Sequence, residues 1–364
     1  MPALTLRPNP MLDTSRVSYD GAVMLMPRQV SARLSNALKG TGLVGVRDCI
    51  RSRPGYLLGS CDFEGGELVT HAQSCMWIVG WSKLADALLA GKKPHNLLGA
   101  TMTGQDYDSF NLKIDAGDKD AGNARQAAKP GNFGFPGGMG EWKMVLQQRK
   151  QGPDTVAADG TRYKGLRFCI LMNNAPACGR VKVTEYKKRP GPPTCLECIE
   201  CAATLRSHWY RTYPENKPYF DFVTHQVEEL GYVTQHVDKR VRGGVNFNSA
   251  ANGYFQALLA RAAKLALIRA SKECYTGNTA LRGSRVIVLQ HDELVAEHPR
   301  SIAPEACDRL STVMETALAE VCPDLAPACH AEPTLMARLY KGAKCVRDSN
   351  GRLMVWTPDG AIAA

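Results

Sequence analysis

The sequence predicts an α+β fold, on three observations. Residues 56–63 form an apolar run that meets a carboxylate near its end, the pattern of a buried strand with Asp62 at its tip. Residues 285–290 are β-branched and apolar. The pattern resumes over 294–297 after His291-Asp292-Glu293, so the two stretches read as a hairpin around a polar tip. Residues 250–271 are rich in Ala and Leu and make the clearest helix in the chain. With 44% apolar and 22% charged residues, composition excludes disorder and collagen-like structure. No stretch approaches the roughly 18 uninterrupted apolar residues that a membrane span needs.

The remaining elements follow in chain order. Residues 1–50 are weakly patterned, and Arg53-Pro54-Gly55 reads as a turn before the first strand. Spacing over 66–89 is helical, with Gly91 closing it, and 104–122 is polar and loop-like. Helical spacing returns over 124–131, until Phe133-Gly134-Phe135-Pro136-Gly137-Gly138 breaks it. Another helix is predicted over 141–151. Residues 152–201 change character, with much Pro, Lys and Cys. Residues 205–230 are aromatic and helical in period, and 304–321 is an amphipathic helix. There is no internal repeat and no low-complexity segment.

If the strands carrying Asp62 and Asp292-Glu293 are neighbours in one sheet, three carboxylates converge. Like charges at close range are costly and call for a counter-charge. Mg²⁺ suits a few carboxylates plus substrate phosphates. Two such ions can stabilise the attacking and leaving oxygens of a phosphoryl displacement. Taken singly, each acid also fits an ordinary solvated turn. Arg125, Lys129 and Phe133 recur at i, i+4 and i+8, which places them on one helical face. Two cations and a flat ring suit a triphosphate and a base. The alternative is a solvated basic face with Phe133 packed in the core.

Together these segments resemble the polymerase module of family A DNA polymerases, the DNA polymerase I-like class, in a phage-type variant. Ser60-Cys61-Asp62-Phe63-Glu64-Gly65-Gly66-Glu67-Leu68 resembles the first palm motif. Arg125-Gln126-Ala127-Ala128-Lys129-Pro130-Gly131-Asn132-Phe133-Gly134 resembles the fingers-helix motif. Leu289-Gln290-His291-Asp292-Glu293-Leu294-Val295 resembles the last palm motif. The three stand in the family's order, and the likeness runs over roughly 45–360, weakest at 150–235. The resemblance implies a right-hand palm with an antiparallel sheet and mostly helical fingers. The segments would be 1–44 as a palm/thumb-junction remnant, 45–90 as palm, 91–245 as fingers with an insert at 152–204, and 246–364 as palm again. It implies template-directed DNA synthesis by a nucleotidyltransferase, with primer–template DNA and dNTPs as partners and two Mg²⁺ ions as cofactors.

Residue by residue, the resemblance implies that Asp62 and Asp292 ligate the metals and that Glu293 supports them or the primer end. Glu67 would crowd a ribose 2′-OH. Arg125 and Lys129 would hold the triphosphate, and Phe133 would stack near the new base pair. His95 would contact phosphate, His291 would lie near the primer terminus, and Arg242 and Asn246 fall in the segment between fingers and final palm motif, as DNA contacts. Thr14-Ser15-Arg16 resembles an upstream Thr-Gly-Arg segment, with Arg16 in the duplex minor groove or simply at the surface. The chain also departs from the pattern. Pro130 and Gly131 sit inside the fingers helix, where proline costs about 3 kcal/mol and glycine about 1. A kink there would turn Phe133 off the common face. Gly137 stands where many members carry Tyr, and Val69 where many carry Arg. A thumb and an exonuclease domain are expected to be absent from this chain. A separate chain would supply them, or the chain is a fragment or a decayed gene product.

The 13 cysteines are expected to be reduced thiols or metal ligands, because 1–16 carry no apolar core behind a basic start and do not read as a signal peptide. The expected location is cytoplasmic, in a bacterial host cell if phage-encoded. Cys195-x-x-Cys198 with Cys178 suits a zinc knuckle, since structural zinc takes four tetrahedral thiolate or imidazole ligands. Cys201 completes the expected set, with Cys169 or His208 as alternatives. Unliganded thiols in a loop are the other reading. Arg180, Lys182, Lys187, Lys188 and Arg189 give this insert a basic rim suited to a DNA backbone, in keeping with a net charge of +10. Two rival functions stay open: a DNA-binding polymerase remnant without full catalysis, and a zinc-containing nucleic-acid-binding protein with no polymerase chemistry.

Overall fold

The computed structural model describes residues 50–340 and 342–362; segment 1–44, with its candidate Arg16, lies outside the described residues. These residues form two compact units. One holds residues 50–70, Thr234–Arg242 and the described residues from Phe255 onward; the other holds His71–Val233 and Gly243–Tyr254.

The first unit is built on a six-stranded sheet. Its strands are β1 (Tyr56–Phe63), β8 (Arg285–Gln290), β9 (Glu293–Pro299), β10 (Ala331–Met336), β11 (Val355–Thr357) and β12 (Gly360–Ile362), in the order β12-β11-β10-β1-β9-β8. Every pairing is antiparallel except β10 with β11. Side chains alternate across a strand. Cys61 therefore faces the amphipathic helix α11 (Ala303–Val321), where its thiol lies 3.6 Å from the Cys307 carbonyl. Ala306, Cys307, Leu310, Val313, Met314 and Ala317 supply that helix's buried stripe. The opposite face is graded along its length. It starts with a cluster of Leu58, Val295 and Met336, passes Ser60 beside Thr334, and ends at Asp62. The C-terminal part of α10 (Phe247–Tyr275) joins this unit, where Glu273 accepts two hydrogen bonds from Arg309 at 2.7 and 2.9 Å.

The second unit is mostly helical. After α1 (Gly66–Val79) come α2 (Lys83–Leu89), α3 (Pro94–Thr103), α4 (Tyr107–Asp115), α5 (Lys119–Gly134) and α6 (Glu141–Gln151). The small hairpin β2 (Thr155–Val156)/β3 (Arg162–Tyr163) leads to α7 (Phe168–Asn173). The hairpin β4 (Lys182–Tyr186)/β5 (Arg189–Cys195) then leads to α8 (Leu196–Thr212) and α9 (Asn216–His225). In chain order the strands β6 (Tyr232–Thr234) and β7 (Val241–Gly243), parts of which belong to the first unit, then precede α10. Trp209, Tyr213, Tyr219 and Phe135 are fully buried and form an aromatic core. No helix among the described residues is long and apolar enough to cross a membrane.

Two sequence expectations are corrected here. The helix expected over 66–89 breaks at Gly80, whose φ is 89°, and Ser82 restarts it by accepting from the Ala85 amide. The loop expected over 104–122 instead contains α4 and the start of α5. Asp106 and Asp118 cap those helices, accepting from the amides of Ser109 and Ala121. Polar composition hid these helices because their caps and exposed faces dominate short segments.

Candidate active site

In the sheet unit, backbone register assembles the acidic end. Asp62 is paired across β1 with Glu293 of β9 and, on its other side, with Glu332 of β10. Directly opposed residues project to the same face, so three carboxylates line up across adjacent strands. The Ser60 hydroxyl, two residues back on that face, donates to Glu293 Oε1 at 2.6 Å and fixes that carboxylate. Asp292 stands in the two-residue turn between β8 and β9. The Phe63 amide donates to its carbonyl at 3.4 Å, tying the turn to the end of β1. His291, the other turn residue, has φ 58°, a left-handed conformation that costs a non-glycine residue of order 1–2 kcal/mol. Such strain persists where surrounding structure over-determines it, here the pairing of Gln290 with Glu293.

Glu67 lies in the first turn of α1, half-buried. Burial raises its pKa, the Asp292 charge raises it further, and a 2.9 Å hydrogen bond from Gln256 Nε2 opposes both. Glu67 and Asp292 therefore feel each other. The Gly65-Gly66 pair makes this approach possible. Gly65 takes φ 62°, and a Cβ on Gly66 would sit 2.7 Å from Leu259 Cδ1.

In the helical unit, α5 presents the cationic face. It runs as one helix through Pro130 and Gly131, and Phe133 stays beside His95. Packing outweighs the local penalty: both residues are buried, and Gly131 lies against Leu205 of α8. His95, in the first turn of α3, marks the common face. Its ring meets Phe133 edge-on at 5.1 Å between centroids. Burial, then the charges of Lys129 and Arg125, push its pKa down to about 4. The imidazole is neutral at pH 7. Asn132 Nδ2 lies 3.0 Å from its Nδ1, an arrangement in which Nδ1 accepts and Nε2 carries the proton. Asn96 Oδ1 accepts from Arg125 Nε at 2.9 Å and Asn96 in turn donates to Asn111 at 2.7 Å, so the guanidinium is aimed by α3 and α4. Lys129 and Phe133 are exposed, which removes the core-packed reading of Phe133.

Other expected residues fall elsewhere. Asn246 caps α10: its Oδ1 accepts from the Ser249 amide at 2.9 Å, and Ser249 Oγ accepts from the Asn246 amide. Arg242 lies half-buried in β7. At Gly137 a Cβ would meet Asn252 at 2.3 Å, and Asn248 and Asn252 donate to its carbonyl. A larger residue there would have to displace the Asn252 side chain. The sequence reading missed Glu332, Ser60, Gln256, Asn96 and Asn132. A polar residue at a buried helix position was the available signal for Asn96 and Asn132; Glu332 had none.

The cysteine cluster differs from expectation. Cys169, Cys178, Cys195 and Cys198 place their sulfurs within 4.8 Å of one another. Cys201 is not in the set. One turn beyond Cys198 on α8, it is buried by itself, and Cys169 of α7 takes its place.

Comparisons with known proteins bear on the fold. No family model and no curated protein matches the sequence. Among solved structures, the chain is similar to the POL domain of Pol1 from M. smegmatis, in complex with DNA primer–template and dNTP. The TM-score is 0.52 at 15% identity, covering 81% of this chain and 42% of that one. The chain thus spans about two fifths of that protein's length, and has the α+β fold of a polymerase domain.

Proposed function

We propose that this chain carries out template-directed DNA synthesis as a family A-type polymerase of phage character, transferring dNMP from dNTP to a primer 3′-hydroxyl. One observation carries the reading: in a polymerase-domain fold, strand register sets Asp62 beside Glu293 at the turn that bears Asp292. The donor set there is all oxygen and multiply negative, which fits Mg²⁺. Asp62 and Asp292 would hold two such ions, with Glu293, oriented by Ser60, supporting them. Bound there, Mg²⁺ would acidify the primer hydroxyl and neutralise charge on the transferring phosphate.

The chain's own residues divide the remaining work. Arg125 and Lys129 bind triphosphate oxygens. Neutral His95 donates from Nε2 to a phosphate oxygen without adding a third positive charge to the face. Phe133 offers its exposed ring to a base. Glu67, held by Gln256, meets the sugar and disfavours a 2′-hydroxyl. The DNA polymerase assay is extension of a labelled primer–template by the full chain with dNTPs and Mg²⁺. Extension that disappears in the Asp62→Asn/Asp292→Asn double variant is expected. No extension by wild type with Mg²⁺ or Mn²⁺ overturns the enzyme reading and leaves DNA binding; extension that survives in the double variant overturns the site.

A further inference from the structure

We infer that Cys169, Cys178, Cys195 and Cys198 bind one structural Zn²⁺ that clamps the base of the β4–β5 hairpin onto α7 and α8. The geometry matches the ion. A tetrahedron with Zn–S of about 2.3 Å has sulfurs about 3.8 Å apart. Here Cys198 Sγ lies 3.3 Å from Cys169 Sγ and 3.6 Å from Cys178 Sγ, and all four sulfurs fall within 4.8 Å.

A backbone donor and a helix N-terminus lie at two of the sulfurs. The Gly179 amide donates to Cys195 Sγ at 3.2 Å. Cys195 caps α8 and Cys198 lies in its first turn, where the helix dipole stabilises negative charge. Binding replaces four S–H bonds by four S–Zn bonds and releases four protons, leaving a site of charge −2.

The hairpin needs such a clamp. Its residues are mostly exposed, and a two-stranded hairpin is marginal by itself in water. Its turn residues, Lys187 and Lys188, both take positive φ, 51° and 60°, at a place where Asn-Gly is usual. At the tip, the ion pair of Lys187 with Glu141 is largely exposed at the lysine and holds weakly. Cys178 precedes β4 and Cys195 ends β5, so the metal closes the hairpin where the two strands meet the helices.

The test reads metal rather than extension, so it stands apart from the polymerase reading. The full chain, purified reduced with zinc present, is expected to release one Zn²⁺ per chain to a chromogenic chelator as a mercurial blocks its thiols. Cys195→Ser and Cys198→Ser are expected to lose the metal, and Cys201→Ser to keep it. Chelation should loosen the hairpin and speed tryptic cleavage at the Lys187-Lys188 turn. Should a serine variant fail to fold, wild type loaded with Co²⁺ decides: strong visible d–d bands with sulfur-to-metal charge transfer are expected. A pale six-coordinate spectrum, no stoichiometric zinc in reduced wild type, or zinc loss in Cys201→Ser equal to that in Cys198→Ser overturns the inference.

Discussion

At the acidic end of the sheet, backbone register sets Asp62, Glu293 and Glu332 side by side, whereas the cationic face of α5 depends on side chains that reach it from α3. The two regions therefore respond differently to change. Replacing a carboxylate leaves the ladder that placed it intact and relieves like-charge repulsion. Replacing Asn96 or Asn132 leaves the ions of the cationic face in place but removes what aims them. Chemistry and geometry separate cleanly in the first region and are mixed in the second.

The sharpest break of this contrast is Asp62→Asn. Single-turnover extension should fall by about 10³-fold, the scale of losing a metal ligand worth several kcal/mol. The urea midpoint should stay level or rise. A fall in both would mean that the carboxylate holds the sheet together rather than the metal.

Acid should separate the regions next. His71 is buried in the helical unit, 2.8 Å from Asn216 Oδ1, and burial lowers its pKa to about 4 from an ordinary value of 6.5. Between those values the unfolded chain binds the extra proton, so stability should be full above pH 6.5 and drop as pH falls toward 4, by about 3 kcal/mol. Urea midpoints from pH 7 to 4 measure it, and His71→Gln should shrink that limb to the part that His95, with its own pKa of about 4, contributes.

A smaller effect is expected for Arg125→Ala, with a 10- to 100-fold rise in KM for dNTP and a lesser change in kcat. Asn96→Ala should move KM the same way by less, since the guanidinium remains but is no longer aimed; an unchanged KM would detach α3 from the site. The smallest is Glu332→Gln. It removes one of the acids flanking Asp62, and extension should weaken less than tenfold with a shifted Mg²⁺ optimum. An unchanged metal titration would make Glu332 a bystander of the register.

Much of the sheet unit was legible. The strand at 56–63, the hairpin at 285–297 and the helix at 304–321 each carry a periodicity that matches their burial. In the helical unit, 141–151 was read correctly. Asp106 and Asp118 went unread as caps because a lone Asp before a polar stretch looks like a turn. The candidate site was partly legible for the same reason: Asp62, Asp292, Glu293, Arg125, Lys129 and Phe133 sit within local patterns. Glu332 follows Asp62 by 270 positions and becomes its neighbour only through the β1–β10 register.

The sequence by itself determined the local elements and the order of the acidic and cationic motifs, because periodicity and caps act over a few residues. Only the tertiary structure decided which distant residues complete them. It kept α5 helical through Pro130, because buried packing outweighs a local penalty of a few kcal/mol. It chose Cys169 over Cys201 as the fourth sulfur, because α7 and the start of α8 bring Cys169 to Cys198, while Cys201 turns one helical step further on.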